Sequence, residues 1–162
     1  MKGKLFNNLL LFSLFSIALA FFGMLYEGVV TIPKMLDNSA ARMLFWKDYY
    51  AVINPLPYYI PLTPLASIIL AILYFVAAKE KPALARRLGW AIIFQIATLA
   101  ITFYIVKEIN LKMYFGNIPQ YADVIPAKTI LVNILSVIRL LLAAIALTLT
   151  FRGYVQSRTE PN

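Results

Sequence analysis

The sequence predicts an all-α, multi-pass membrane protein. It reads as one domain, residues 1–162, forming an antiparallel four-transmembrane-helix bundle with an extra-membrane helix in the first outer loop. Three observations carry that reading. First, 62% of the residues are hydrophobic and 14% are charged, where a soluble domain carries about 25% charged residues; the mean hydropathy is +0.78. Second, the apolar residues gather into runs at Leu9–Val30, Leu62–Ala78, Leu88–Val106 and Thr129–Phe151. Each run can cross a hydrocarbon core about 30 Å thick. Third, the basic residues sit at the ends of these runs, which is how membrane topology is written into a sequence.

That third observation also disposes of the obvious reading of a net charge of +8. The basic residues do not form a phosphate-binding face, so no nucleic-acid partner is expected. Lys2 and Lys4 precede the first run, Lys79, Lys81, Arg86 and Arg87 separate the second from the third, and Arg152 and Arg158 follow the fourth. Lys34, Arg42, Lys47, Lys107, Lys112 and Lys128 are spread over two longer loops, 31–61 and 107–128. The denser set predicts that both termini lie in the cytoplasm of a cell-membrane protein, with the longer loops outside.

Cysteine and histidine are absent. Disulfides, thiolate nucleophiles, CxxC redox pairs, histidine-ligated haem or zinc and histidine-dependent triads are therefore excluded. So is a four-helix disulfide oxidoreductase of the vitamin K epoxide reductase type. The seven acidic residues are scattered, so neither a carboxylate-held metal nor another cofactor is expected.

The first run opens like a signal peptide, with two lysines, an apolar stretch and Ala18-Leu19-Ala20 as a small-residue cleavage site. It then continues through Phe21 and Phe22 to Val30, longer than such a region needs, and reads as an uncleaved spanning helix. One face carries Ser13, Ser16, Ala20, Gly23 and Glu27. Small residues let membrane helices approach closely, which accounts for the first four positions. Glu27 shares their register and aims a carboxylate inward near the outer end.

In the first outer loop Asp37 or Asn38 can cap a helix running to about Ile53, with Met43, Trp46, Tyr50 and Ile53 on one face. Asn54-Pro55-Leu56-Pro57 ends it. Tyrosines 26, 49, 50, 58, 59, 104, 114 and 121 fall on or near the outer side. They read as an interfacial aromatic belt or as a lid of hydroxyl donors over a cavity.

The second span offers Thr63, Ser67, Ala71, Tyr74 and Ala78 on one face. A short basic connection, 79–87, makes the second and third spans antiparallel neighbours. The third carries Gln95, Thr98 and Thr102 on one face and ends at Lys107-Glu108-Ile109-Asn110. The fourth contains the feature around which the others arrange themselves, an arginine near its centre. A charge at that depth costs about 2.5–3.5 kcal/mol on insertion scales, so it must face protein, water or ligand. Ser136, Arg139, Ala143, Ala146 and Thr150 share one side of the helix; Ile134, Ile138, Leu141, Ile145 and Leu149 face lipid. The tail from Arg152 is expected to fray.

At about 1.5 Å per residue, Arg139 lies roughly 14 Å below the outer boundary, level with Gln95 and Thr98. Glu27 is a few ångströms higher and is the expected partner, because Glu108 is displaced around its helix. The pair is either a structural pin or part of a polar pocket with Arg139 at its floor. An arginine there suits a carboxylate, a phenolate or a lipid headgroup.

The pattern Gly23-x-x-Tyr26, Pro33, Asn54-Pro55, Thr102, Asn110 and a mid-membrane Arg139 resembles the anthrone oxygenase family of four-helix membrane proteins. The chain has Leu135 and Ser136 where the family often has aromatic residues and an asparagine, and Glu108 where it often has proline. Most members have no assigned role. For some, the resemblance implies oxidation of a phenolic anthrone to an anthraquinone without metal or organic cofactor. Glu27 would then be the base and Arg139 the group that holds the anion, with Tyr26, Gln95, Thr98, Asn110 and Arg139 lining a site for a small aromatic or anionic ligand. The alternative is a non-enzymatic lipid-binding or accessory membrane subunit in which Arg139 and Glu27 are structural. The absence of inverted repeats and broken spans argues against transport.

Overall fold

The structure, a computed structural model, describes residues 3–31, 40–52, 59, 61–113 and 117–159. Helix α1 spans Gly3–Tyr26 and runs into a π-helical turn, Glu27–Thr31. Helix α2 is Ala40–Val52, α3 is Leu62–Glu80, and α4 is Pro82–Ile105, which also ends in a π-helical turn, Val106–Asn110. After the single turn Leu111–Met113 and a 3₁₀ segment, Ile118–Val124, helix α5 runs from Ile125 to Thr159. No strand occurs among the described residues. Helices α1, α3, α4 and α5 are long and apolar enough to cross a membrane.

The connection between α3 and α4 is a single residue, Lys81 at φ −134° and ψ 74°. Its N–H still donates to the Ala77 carbonyl at 2.7 Å, and its carbonyl accepts from Ala85 N–H at 2.9 Å. Pro82 occupies the first position of α4, where a missing N–H costs nothing and the fixed φ suits a helix start. So tight a turn leaves α3 and α4 no arrangement but side by side and antiparallel. The other spans complete a ring in which α1 packs on α3 and α5, and α4 packs on α3 and α5.

The end of the bundle that bears the short α3–α4 turn, here the inner end, is packed mainly with leucine and alanine. Leu10, Ile17, Ala66, Leu70, Leu73, Ala77, Leu84, Ala85 and Leu88 form one buried cluster there. Small residues bring the helices close. A methyl group added at Gly89 would stand 3.2 Å from the Tyr74 ring, and one at Gly153 would stand 3.2 Å from Leu88 Cδ2. The surface facing away from the bundle is apolar, with Phe15, Phe75, Phe103 and Leu141 among the exposed side chains. A face of that kind belongs in lipid.

Two expectations are corrected. The inward face of α3 is Thr63, Ala66, Leu70, Leu73 and Ala77, rotated by about one residue from the Thr63–Ser67–Ala71–Tyr74–Ala78 stripe. Ser67 has no need of the interior, because its hydroxyl donates to the Thr63 carbonyl at 3.0 Å, and the leucines are better core. The tail does not fray at Arg152: α5 continues to Thr159. Gly153 is seated against Leu84 and Leu88, Tyr154 packs on the inner cluster, and Ser157 donates to the Tyr154 carbonyl at 2.7 Å. These contacts hold the extra turns.

At the other end, α2 packs on the 3₁₀ segment Ile118–Val124, so the two longer loops meet over the outer end of the bundle. Asp37, Asn38, Ile53 and Asn54–Tyr58, together with the side chains of Met43, Trp46 and Tyr50, lie outside the described residues.

Candidate functional site

The last span sets the position of the site. Along α5 the inward register reads Ala143, Ala146, Thr150 and Gly153, all buried. Between Thr129 and Ala143 that regularity stops, and no residue from 130 to 142 is buried. The face of α5 that contains Asn133, Ser136 and Arg139 is therefore only half-buried. Ile134, Ile138, Leu141 and Ile145 are exposed on the opposite side, so it is the polar face that turns inward.

The Gly153 contacts with Leu84 and Leu88 fix the register of α5 against α4. Counting outward by about 1.5 Å per residue places Arg139 between the levels of Thr98 and Thr102. Ala20 and Met24 of α1 cluster with Ala143, with Leu140 and Tyr59 packed against them. That contact sets α1 so that Glu27 lies only about one residue's rise, roughly 1.5 Å, outward of Arg139. A guanidinium reaching outward closes the gap: Arg139 Nη2 donates to Glu27 Oε2 at 3.3 Å. The other oxygen, Glu27 Oε1, accepts from the Tyr59 hydroxyl at 3.0 Å.

Glu27 is the first residue of the π-helical turn. Such turns widen the backbone spiral and are frequent at functional sites. Open space adjoins it, since a methyl group at Gly28 would meet nothing within 4 Å. The Arg139 side chain is 12% exposed and that of Glu27 is 29% exposed. The guanidinium is thus nearly enclosed, while its counter-ion is less so. Arg139 Nε is buried without a hydrogen-bond partner among the described residues. One single-oxygen contact at the long end of the range is modest ligation for a cation that can donate through five N–H groups.

The remaining candidates divide. Gln95 and Thr98 are each 2% exposed and face the interior. Gln95 Oε1 has no hydrogen-bond partner among the described residues. Thr98 is locally satisfied, donating to the Phe94 carbonyl at 2.9 Å, and Thr102 likewise donates to the Thr98 carbonyl at 2.8 Å. Tyr26 is 65% exposed and turned away from the ion pair, as an interfacial tyrosine would be. The Asn110 side chain lies outside the described residues; its backbone closes the π-helical turn of α4. Glu108 is engaged elsewhere, hydrogen-bonded to Lys112 and 4.0 Å from Lys107. The Glu108 bond holds the Lys112 ammonium above the ordinary lysine pKa. Among the described residues no group of three acids gathers as a metal-ligand set.

Two members of the constellation are not marked as site residues by the sequence pattern. Tyr59 is one of many outer tyrosines, and nothing in the local pattern distinguishes the one that reaches Glu27. Asn133 carries a usable signal, a carboxamide within an apolar run, where polar groups are costly. Its Oδ1 is buried without a hydrogen-bond partner among the described residues.

Compared with family profiles, with curated proteins and with solved structures, the chain gives no match.

Proposed function

We propose that this membrane protein holds a small phenolic or otherwise anionic ligand in the outer half of its bundle, with Arg139 as the anion-binding group. The observation that supports this most is the under-ligated guanidinium. Among the described residues it makes one 3.3 Å contact with Glu27 and has a buried, unpartnered Nε, in the stretch of α5 where no residue is buried. A ligand oxyanion could take the place of the Glu27 carboxylate and accept from the fork in two places. Tyr59 and Glu27 would stand at the mouth, and Gln95 Oε1 would offer an acceptor deeper in.

The chemistry open to such a site is the cofactor-independent oxidation suggested by the resemblance to anthrone oxygenases. Glu27 would remove the acidic C–H proton of a phenolic anthrone, and Arg139 would hold the resulting enolate oxygen. O₂ would add to the carbanion, and loss of water from the hydroperoxide would leave the quinone carbonyl. One O₂ is consumed per substrate, with one oxygen atom retained and the other released as water. The basic-residue pattern supports a cell-membrane location with both termini cytoplasmic, so the site would open toward the outside.

The second reading is a non-enzymatic accessory or lipid-binding subunit. It is favoured by a different observation: Tyr59, Glu27 and Arg139 form one hydrogen-bonded chain that ties α1, α5 and the residue leading into α3. One set of variants separates the readings. With purified protein and a dihydroxyanthrone, binding is read as thermal stabilisation and turnover as O₂ uptake. The ligand site predicts that Arg139→Leu abolishes binding, whereas Glu27→Gln binds more tightly, having lost the competing carboxylate, but does not turn over. If folded Arg139→Leu binds the anthrone as wild type does, the ligand site is wrong. If Glu27→Gln turns over at the wild-type rate, the role of Glu27 as base is wrong.

A further inference from the structure

The inner end of the bundle carries a feature that the outer site does not use. Gly153 lets α4 and α5 approach there, within 3.2 Å of Leu88 and 3.4 Å of Leu84 for an added Cβ. Across this seam Arg87 Nη1 donates to the Arg152 backbone carbonyl at 3.5 Å. Two arginines from neighbouring helices are thereby held at one level, and Arg86 precedes Arg87 in the chain. All three are exposed, and no carboxylate pairs with any of them among the described residues. Like charges so placed repel, and a shared anion relieves that repulsion.

The apolar part of the seam is as specific as the charged part. Trp90 lies one helical turn from both Arg86 and Arg87 and is 52% exposed. Its ring centroid is 6.2 Å from that of Phe94. Phe151, next to Arg152, is 55% exposed. Tryptophan at the junction of a basic cluster and an apolar surface sits at headgroup depth. Orientation within the membrane requires only that basic residues lie at this end. It does not require arginines of two neighbouring helices at one level, one of them anchored to the other's backbone, with an exposed tryptophan one turn away.

We infer that the inner end of the α4–α5 seam binds an anionic phospholipid. Arg86, Arg87 and Arg152 take the phosphate-bearing headgroup, and Trp90 and Phe151 lie against the acyl chains. Arginine suits the role because its planar fork matches two phosphate oxygens, and juxtamembrane basic clusters attract acidic lipids. This site is separate from Arg139 and stands or falls independently of it.

The protein contains two tryptophans, so Trp46→Phe leaves Trp90 as the sole reporter. This protein is reconstituted into vesicles containing phosphatidylcholine and phosphatidylglycerol, and chain-brominated versions of each lipid are used to quench Trp90. Brominated phosphatidylglycerol should quench at a mole fraction about fivefold lower than brominated phosphatidylcholine, or lower still, the effect expected of at least one well-placed basic residue. Adding Arg86→Gln, Arg87→Gln and Arg152→Gln should equalise the two lipids. Adding Lys4→Gln, Lys79→Gln and Arg158→Gln, which removes the same charge from the same end but off the seam, should leave the preference in place. The inference is overturned by equal quenching in the starting protein or by a preference that survives loss of the three arginines. It is also overturned if the off-seam variant loses the preference as completely, or if inorganic phosphate removes it, since the site would then be a general field or a soluble-anion site.

Discussion

Replacing the two halves of the central ion pair should have unequal consequences for stability. At 3.3 Å the gross attraction between the charges is about 5 kcal/mol at an effective dielectric constant near 20. Desolvation offsets much of it, because holding a guanidinium that is only 12% exposed costs several kcal/mol, of order 2–4. Glu27→Gln keeps an acceptor for Tyr59 and for Arg139 but removes the counter-charge. Orphaning a fully buried charge costs about 3–5 kcal/mol; with Glu27 29% exposed and space beside it, about 2–3 kcal/mol is expected. Arg139→Leu removes the charge that needed compensation. It leaves Glu27 within reach of the outer end and still bonded to Tyr59, so it should cost no more than about 1 kcal/mol by the same accounting. The double variant should return to the level of Arg139→Leu alone, giving a coupling of about 2 kcal/mol. The assay is reversible unfolding of detergent-solubilised protein by titration with a denaturing detergent, followed by helical circular dichroism. If Arg139→Leu costs more than Glu27→Gln, or if the two losses simply add, Arg139 does not depend on Glu27 and the reasoning fails.

Other substitutions test the packing around the pair, each by the same unfolding assay. Tyr59→Phe removes the 3.0 Å bond to Glu27 while keeping the ring against Ala20, Met24 and Ala143, and should cost about 0.5–1.5 kcal/mol. Gly153→Leu drives a side chain into Leu84 and Leu88 and should cost about 1–3 kcal/mol by overpacking, whereas Gly28→Ala, with nothing within 4 Å, should be neutral or stabilising by up to about 1 kcal/mol. Equal effects at the two glycines would contradict the helix register. Lys112→Gln should be indistinguishable from wild type near neutral pH because the Glu108 pair is exposed. Since that pair raises the Lys112 pKa, any contribution it makes is present below the ordinary lysine pKa and disappears as pH rises through the raised value. A loss on acidification through neutrality that depended on Lys112 would have the wrong sign.

How much of the fold and the site is legible in the amino-acid sequence depends on the kind of signal. The spans are plain because about twenty apolar residues in a row have few other uses. Glu27 and Arg139 can be paired because each is a lone charge in an apolar helix, and the 3.6-residue period then fixes the direction of each. Gln95 and Thr98 follow by the same rule, and both are buried. The rule misplaces the face of α3, where it turns small and polar residues inward. Serine can satisfy itself on its own helix, as Ser67 does, and so carries little directional information, whereas Leu70 and Leu73 meet Leu10, Leu84 and Leu88 only in the assembled bundle. The π-helical turns ending α1 and α4 leave no mark in periodicity. Which outer tyrosine reaches Glu27 is decided by how the chain re-enters α3, a long-range property.

The contrast between the two ends of α5 bears on what the site can do. Toward the inner end its inward positions are alanine, threonine and glycine, and buried leucines of the other helices close over them. Farther out the same face carries Ser136 and Arg139, with Asn133 nearby, and burial ceases from 130 to 142. The cause is chemical. Small apolar positions let helices close to contact, whereas a guanidinium and a carboxamide need polar partners, and Arg139 Nε and Asn133 Oδ1 have none among the described residues. The consequence is a half-buried polar level around Arg139, bounded on the inner side by Leu10, Leu70, Leu73, Leu84 and Leu88 and on the outer side by Ile105, Ile109, Ile118 and Ile125. For a ligand of Arg139 the leucine layer is the barrier on the inner side. Binding or chemistry at a dead end fits such an interior, whereas passage across the membrane would require the leucine layer to part. Opening that layer with Leu73→Ser and Leu88→Ser should leave ligand access to Arg139 unchanged. If access instead increased, measured as the rate of anthrone-induced stabilisation, the route would run through the inner end and the dead-end argument would be lost.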